Sequence, residues 1–215
     1  ALSYLNKFSD YIALHSRIIS YLNCLNKSLM VLKIFDDKEL ERGFYMSLSC
    51  NHLISRIYVS FFFAKAMQDQ IYLEMVLEML QMVGNPLPAL VLRFTIISFL
   101  QPEAKIYRSF VMHNLSEMLY LHNILIHELP DNKEQIGGWV MANLSYINCC
   151  DDDLIDFFLN EAKNCNDLKL SQDIFKYIIS CIEPDKYKIH FAAIKDFLDS
   201  TEPSTEKLNQ VYEII

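Results

Sequence analysis

The sequence predicts an all-α chain, an α-solenoid of stacked antiparallel helical hairpins of HEAT-like type with about ten helices. Three observations predict it. Apolar residues recur at spacings of three, four and seven over much of the chain, the period of a helix face. Turn formers are scarce, with 4 Gly and 6 Pro in 215 residues, whereas sheet-rich folds need more of both. Acidic residues stand just before several apolar segments, where a carboxylate caps a helix, and no polar linker or low-complexity run divides the chain.

The elements follow in order. Leu2, Leu5, Phe8, Ile12, Ile19 and Leu22 carry helical periodicity over 2–25. A second apolar group, Leu29 to Phe35, follows Asn26-Lys27-Ser28. Asp36-Asp37 caps a helix over 38–50, with charges in its first turn that suit the helix dipole. The next helix, 52–67, bears Ile54, Ile57, Tyr58, Phe61, Phe62 and Ala64 on more than one face; such a helix is buried or binds a partner. Asp69 caps the helix over 71–83, and Gly84 is expected to close it in the left-handed conformation. Pro86 suits the first turn of the following helix, where its missing N–H costs nothing. That helix runs to Leu100 and Gln101-Pro102 ends it.

Residues 103–128 read as one long helix or two short ones, stopped by Pro130. Asp131 is expected to cap a helix with Ile136, Trp139, Val140, Leu144 and Ile147. Asp151, Asp152 and Asp153 open another over 154–163, and Asp167 opens one through Ile182. Pro184-Asp185 makes a turn, and 186–199 and 203–215 make the last two helices. The repeats follow no fixed sequence period, so each hairpin is a degenerate copy that buries its apolar face on the next. A closed bundle is the structural alternative.

Composition excludes several classes. At 52% hydrophobic and 13% aromatic the chain is not a disordered one. A net charge of −8 argues against a general nucleic-acid binder, which needs a basic face. The apolar run nearest to a membrane span, 86–100, is broken by Pro88 and Arg93 and falls short of about 18 residues. Cys24, Cys50, Cys149, Cys150, Cys165 and Cys181 form no C-x-x-C pair and read as buried thiols of a cytoplasmic protein. The chain begins at Ala1 and shows no signal peptide; a single segment, 1–215, of a longer scaffold is expected.

No motif carries catalysis. His15, His52, His113, His122, His127 and His190 lie in no H-E-x-x-H pattern and read as surface or satisfied histidines. Cys149-Cys150-Asp151-Asp152-Asp153 lacks the alternating oxygens, Gly and distal Glu of a calcium loop. Gly137-Gly138 follows no strand and lacks the Lys of a phosphate loop. No enzyme, cofactor or metal is expected. Ser55-Arg56-Ile57-Tyr58-Val59 stands out because an Arg sits among apolar neighbours. Its stem can cover the core, or Arg and Tyr can anchor a protein interface, where both types are enriched.

Leu53-Ile54-Ser55-Arg56-Ile57-Tyr58-Val59 resembles the P-R-L-Y-L motif near the N-terminus of the large α-solenoid subunit of retromer, the vacuolar protein sorting-associated protein thirty-five family. Arg56 and Tyr58 match; Ser55 stands for the motif's Pro, and Ile57 and Val59 for its leucines. Asn85-Pro86-Leu87-Pro88-Ala89-Leu90-Val91-Leu92-Arg93 is similar to the family's H-P-L-R-G-L-F-L-R, matching at Pro86, Leu87, Leu90, Leu92 and Arg93. Asn164-Cys165, Asp167, Gln172, Ile178-Ile179 and Pro184-Asp185 resemble a later N-C-x-D…Q…I-I…P-D segment. The three fall in family order, while 102–136 matches poorly and is shorter than in typical members.

The resemblance implies a divergent N-terminal part of that subunit, a non-enzymatic scaffold of the coat that sorts cargo from endosomes in retrograde transport. It implies docking of the arrestin-like retromer subunit through Ser55, Arg56, Ile57, Tyr58 and Val59. Sorting nexins and cargo tails follow as candidate partners, with Pro86 and Arg93 shaping the same region or simply packing. It also implies a cytoplasmic protein, peripheral on endosomal membranes through its partners. The large subunit of a retriever-type complex shares an R-x-Y-V and G-x-P-L pattern and is one alternative. An unrelated helical-repeat module that binds RNA or protein is another, and an enzyme with a dispersed site is a third.

Overall fold

The computed structural model describes residues 35–100, 107–146 and 152–200, with helical positions 13, 16–18, 20, 21 and 24 before them. Every regular element among the described residues is helical. In order these are α1 (Asp37–Ser47), α2 (Leu53–Met67), α3 (Gln70–Gln81), α4 (Pro86–Leu100), α5 (Arg108–Glu128), a 3-10 turn (Pro130–Asn132), α6 (Lys133–Tyr146), α7 (Asp152–Lys163), α8 (Leu168–Cys181) and α9 (Tyr187–Ser200). The predicted helix over 203–215, most of that over 2–25, the break at Gln101-Pro102, and Ile147, Cys149, Cys150 and Asp151 lie outside the described residues.

Carboxylates set three of the helix starts. The Asp36 side chain accepts from the Glu39 N–H at 2.8 Å, and the Glu39 carboxylate accepts from the Asp36 N–H at 3.1 Å. This reciprocal pair satisfies two donors that the first turn leaves over. Asp69 accepts from the Ile71 N–H at 2.9 Å, and Asp167 from the Lys169 N–H at 3.1 Å. Asn85 does the same for Leu87 at 3.2 Å, ahead of the predicted Pro86 start.

Two expectations about helix ends fail. Gly84 does not take a left-handed conformation; α3 ends at Met82 with a right-handed cap. The left-handed residue is Gln68 at φ 56°, which closes α2 and lets α3 begin two residues later. Asp131 does not cap α6; it lies inside the 3-10 turn that leads directly into Lys133.

The chain divides into two compact units, Ala1–Pro130 and Asp131–Ile215. In the first, α1 packs on α2, α2 on α3, and α4 on α5, with α3 also touching α4 and α5. Successive helices joined by short links thus pair as helical hairpins. α4 is the most enclosed: Ala89, Leu90, Val91, Leu92, Arg93, Thr95, Ile96, Ile97, Phe99 and Leu100 are all buried. Its apolar circumference is that of a helix surrounded by protein. No helix among the described residues is long and apolar enough to cross a membrane.

Close helix approach in this unit depends on small residues. The Phe63 ring of α2 occupies the space where a Cβ on Gly43 of α1 would stand. Ser47 and Ser60 share a hydrogen bond across the same pair of helices, at 2.5 Å, and Ser47 Oγ also reaches the Phe44 carbonyl at 2.6 Å. Fully burying a Leu, Ile or Phe around these contacts contributes about 1.5–3 kcal/mol each.

In the second unit α7 packs against both α8 and α9, and α6 against α8. Leu154, Ile155, Phe158, Leu159 and Ala162 form the buried stripe of α7, and Leu170, Ile174 and Ile178 lie in that of α8. Their spacing is that of one helical face. Phe175 of α8 stacks on Phe197 of α9 with ring centres 4.4 Å apart. Asp167, 4% exposed, pairs with Lys133 at 3.0 Å, so one carboxylate both caps α8 and ties it to α6.

Candidate docking surface

α2 carries the motif singled out in the sequence, and its helical geometry splits those five residues between two faces. Ile57 is fully buried and Tyr58 is 4% exposed. Ser55 and Val59 are exposed, and Arg56 is half-buried. The 100° step of an α-helix produces this split: 55, 56 and 59 lie together on one side, and 57 and 58 face the core. Of the five residues expected to form an anchor, Ile57 and Tyr58 are thus part of the core, and Ser55, Arg56 and Val59 are open to solvent.

Tyr58 shows how deeply the inward face is set. Burial pushes its phenol well above the ordinary value of 10.0, while a hydrogen bond to Thr95 of α4 pulls slightly the other way. A neutral hydroxyl with a partner is tolerated inside; a phenolate is not. Ile57 and Phe61 complete this face, and Phe61 meets Phe99 of α4 edge-on at 5.6 Å.

Arg56 is held from behind. Its Nε and Nη2 both donate to the Cys50 carbonyl, at 2.9 and 2.7 Å. Cys50 lies in the link that leaves α1, so the guanidinium clamps that link to the first turn of α2. Two donors from one cation on a single carbonyl make charge-assisted hydrogen bonds, stronger than neutral ones. The side chain is thus a clamp made by its head group and a half-exposed cation, which differs from the stem covering the core that the sequence suggested.

The outward stripe runs from His52, the N-cap of α2, through Ser55, Arg56 and Val59. These positions follow the i, i+3, i+4, i+7 pattern of one helix face. Ser55 Oγ lies 3.4 Å from His52 Nδ1 at its start. The stripe offers a partner an apolar contact at Val59 beside hydroxyl and guanidinium hydrogen bonds.

The other predicted motifs are structural where described. Pro86 opens α4, Leu90 and Leu92 are in its core, and Arg93 is 2% exposed. Ile178 and Ile179 are buried in α8. Gly137 and Gly138 lie within α6. His52, His113 and His127 are exposed; His122 and His190 are buried, the latter with Nδ1 2.9 Å from Asp156. The described cysteines are less buried than expected: Cys50, Cys165 and Cys181 are half-buried and Cys24 is exposed. Among the described residues no three His, Cys, Asp or Glu side chains converge to hold a metal ion.

Sequence reasoning missed a groove in the first unit. It lies between α5 and the α3–α4 junction, has a volume of about 550 Å³, and is lined by Arg93, Glu117, Tyr120, Ile124 and Glu128 among others. Its one sequence signal is Arg93, a charge inside an otherwise apolar helix.

Comparison with known proteins adds no assignment: no family model matches the chain, and no curated protein matches it.

Proposed function

We propose that this chain is a non-enzymatic helical scaffold of the retromer type, whose first unit docks the arrestin-like subunit of that coat. The observation that carries the reading is the outward stripe of α2. The segment that resembles the family's docking motif sits on a helix with Ser55, Arg56 and Val59 facing away from the core. The hydrogen bonds from Arg56 to Cys50 fix the stripe's position, so little side-chain entropy is lost on binding.

In this mechanism the helical hairpins supply a stiff support. Ile57 and Tyr58 anchor α2 in it, and the stripe supplies recognition. Val59 gives desolvated contact area; Arg56 and Ser55 give directional hydrogen bonds. Sorting nexins and cargo tails would join through the assembled coat, and contact with endosomal membranes would come through those partners.

Co-purification tests the proposal. Wild-type chain and Val59→Asp are passed through a cytosolic extract and the bound proteins identified by mass spectrometry. Recovery of an arrestin-like retromer subunit by wild type and its loss with a folded Val59→Asp variant supports the reading. Recovery by neither refutes it.

A further inference from the structure

Two tyrosines and a glutamate meet at the surface between α1 and α3. Tyr45 of α1 and Tyr72 of α3 have ring centres 6.3 Å apart and planes at 76°, so they make two walls of a corner rather than a stack. Tyr45 is 51% exposed and Tyr72 is half-buried, so solvent reaches both. Buried Phe44 sits edge-on to Tyr72 at 4.8 Å and holds that ring from the core side. Glu41 lies one turn before Tyr45 on the same face of α1. Its carboxylate accepts from the Tyr72 hydroxyl at 3.0 Å. That bond pushes the Tyr72 phenol up to about 12, so the hydroxyl stays a donor near neutral pH.

The corner has the parts of a cation site and no cation of its own. Among the described residues, no Lys, Arg or His pairs with the exposed Glu41, and none lies over either tyrosine ring. Lys38 and Arg42 are exposed on the same helix, yet neither makes that bond. The faces of aromatic rings attract a cation, and a carboxylate beside them adds a charge-assisted hydrogen bond. One oxygen of Glu41 holds the Tyr72 hydroxyl, which leaves the other as an acceptor. A guanidinium meets both demands at once: its flat face lies on a ring while its N–H groups point to the carboxylate. A lysine ammonium is compact and strongly hydrated, and it does not stack. A carboxylate or phosphate would be repelled by Glu41.

We propose that Tyr45, Tyr72 and Glu41 bind an arginine side chain of a partner protein. The guanidinium packs on the Tyr45 ring, with Tyr72 as the second wall, and donates to Glu41. Tyrosine and arginine are both enriched at protein interfaces. The site shares no residue with the α2 stripe and stands or falls independently of it.

NMR titration of the whole chain with acetyl-Gly-Arg-Gly-amide tests this, beside the same peptide carrying lysine or neutral citrulline. The arginine peptide should shift the Tyr45 and Tyr72 ring signals with a Kd of about 1–10 mM, the strength of one exposed cation–π contact with one ion pair. The citrulline peptide should bind at least about fivefold more weakly, and the lysine peptide about twofold or more. Glu41→Gln should weaken arginine binding about three- to fivefold, and Tyr45→Ala about fivefold, with circular dichroism unchanged. Tyr45→Phe keeps the ring and should keep the affinity. Glu78→Gln, an equal change of charge at an exposed position further along α3, should leave the affinity as it is. No shift at the two rings, equal binding of arginine with citrulline or with lysine, or the same loss with Glu78→Gln as with Glu41→Gln would overturn the proposal.

Discussion

The Lys65 ammonium donates to the Phe99 carbonyl at 3.1 Å and lies 4.1 Å from the centre of the Phe99 ring. The two residues are 34 positions apart and join the end of α2 to the end of α4. The carbonyls of a last helical turn lack partners within the helix, and here a side chain 9% exposed supplies one. Lys65→Met keeps the stem and removes the donor. It should cost about 1–3 kcal/mol, the range for a charge-assisted bond with a cation–π contact. In urea melts the midpoint should fall while the slope is unchanged.

Gly43 sets how closely α1 approaches α2. Gly43→Ala places a methyl group in the Phe63 ring. The ring must move, and the variant should lose about 1–3 kcal/mol through overpacking. Combining it with Phe63→Leu should cost less than the sum of the two single changes, which a double-mutant cycle in thermal unfolding reads directly.

The buried Tyr58 predicts sensitivity to alkali. Its folded value is raised above the 10.0 of the unfolded chain. The unfolded state therefore loses its proton first, and stability present below pH 10 declines as pH rises through and beyond that value. Tyr58→Phe should flatten the decline above pH 10, at a cost near neutral pH of about 1 kcal/mol for the lost hydrogen bond. Denaturant titrations at a series of pH values test both parts.

Asp167 performs two tasks that substitution separates. Asp167→Asn keeps a capping oxygen and loses the ion pair with Lys133; Asp167→Ala loses both. The Ala variant should be destabilised more, by about 0.5–2 kcal/mol beyond Asn, which is the value of a cap. Equal losses would place the whole effect in the ion pair.

Much of the fold was legible in the sequence where one local rule decided the outcome. Asp36, Asp69 and Asp167 cap because a short carboxylate before an apolar run reaches the free N–H groups of the first turn; Asp131 does not, because a 3-10 turn holds it. α4 is enclosed because no side of it is polar. Gly84 misled, since the tight turn falls one helix earlier at Gln68, a residue type that gives no left-handed signal. The segment that resembles a docking motif was legible as a helix but not as a surface. Ile57 and Tyr58 were read as anchors, yet the helical step turns both inward, and only the packing of α2 among its neighbouring helices decides which side is hidden. The bond from Arg56 to Cys50 and the groove at Arg93 were invisible, because both depend on where separate segments meet.

The central claim is that the stripe of Ser55, Arg56 and Val59 docks the arrestin-like retromer subunit, and isothermal titration of that purified subunit tests it most directly. The account predicts saturable binding by the wild-type chain. It also predicts that Val59→Asp weakens this binding by at least about tenfold, the loss of a central interface contact, with the thermal midpoint unchanged. Absence of binding by the wild type, or full affinity in Val59→Asp, would contradict it.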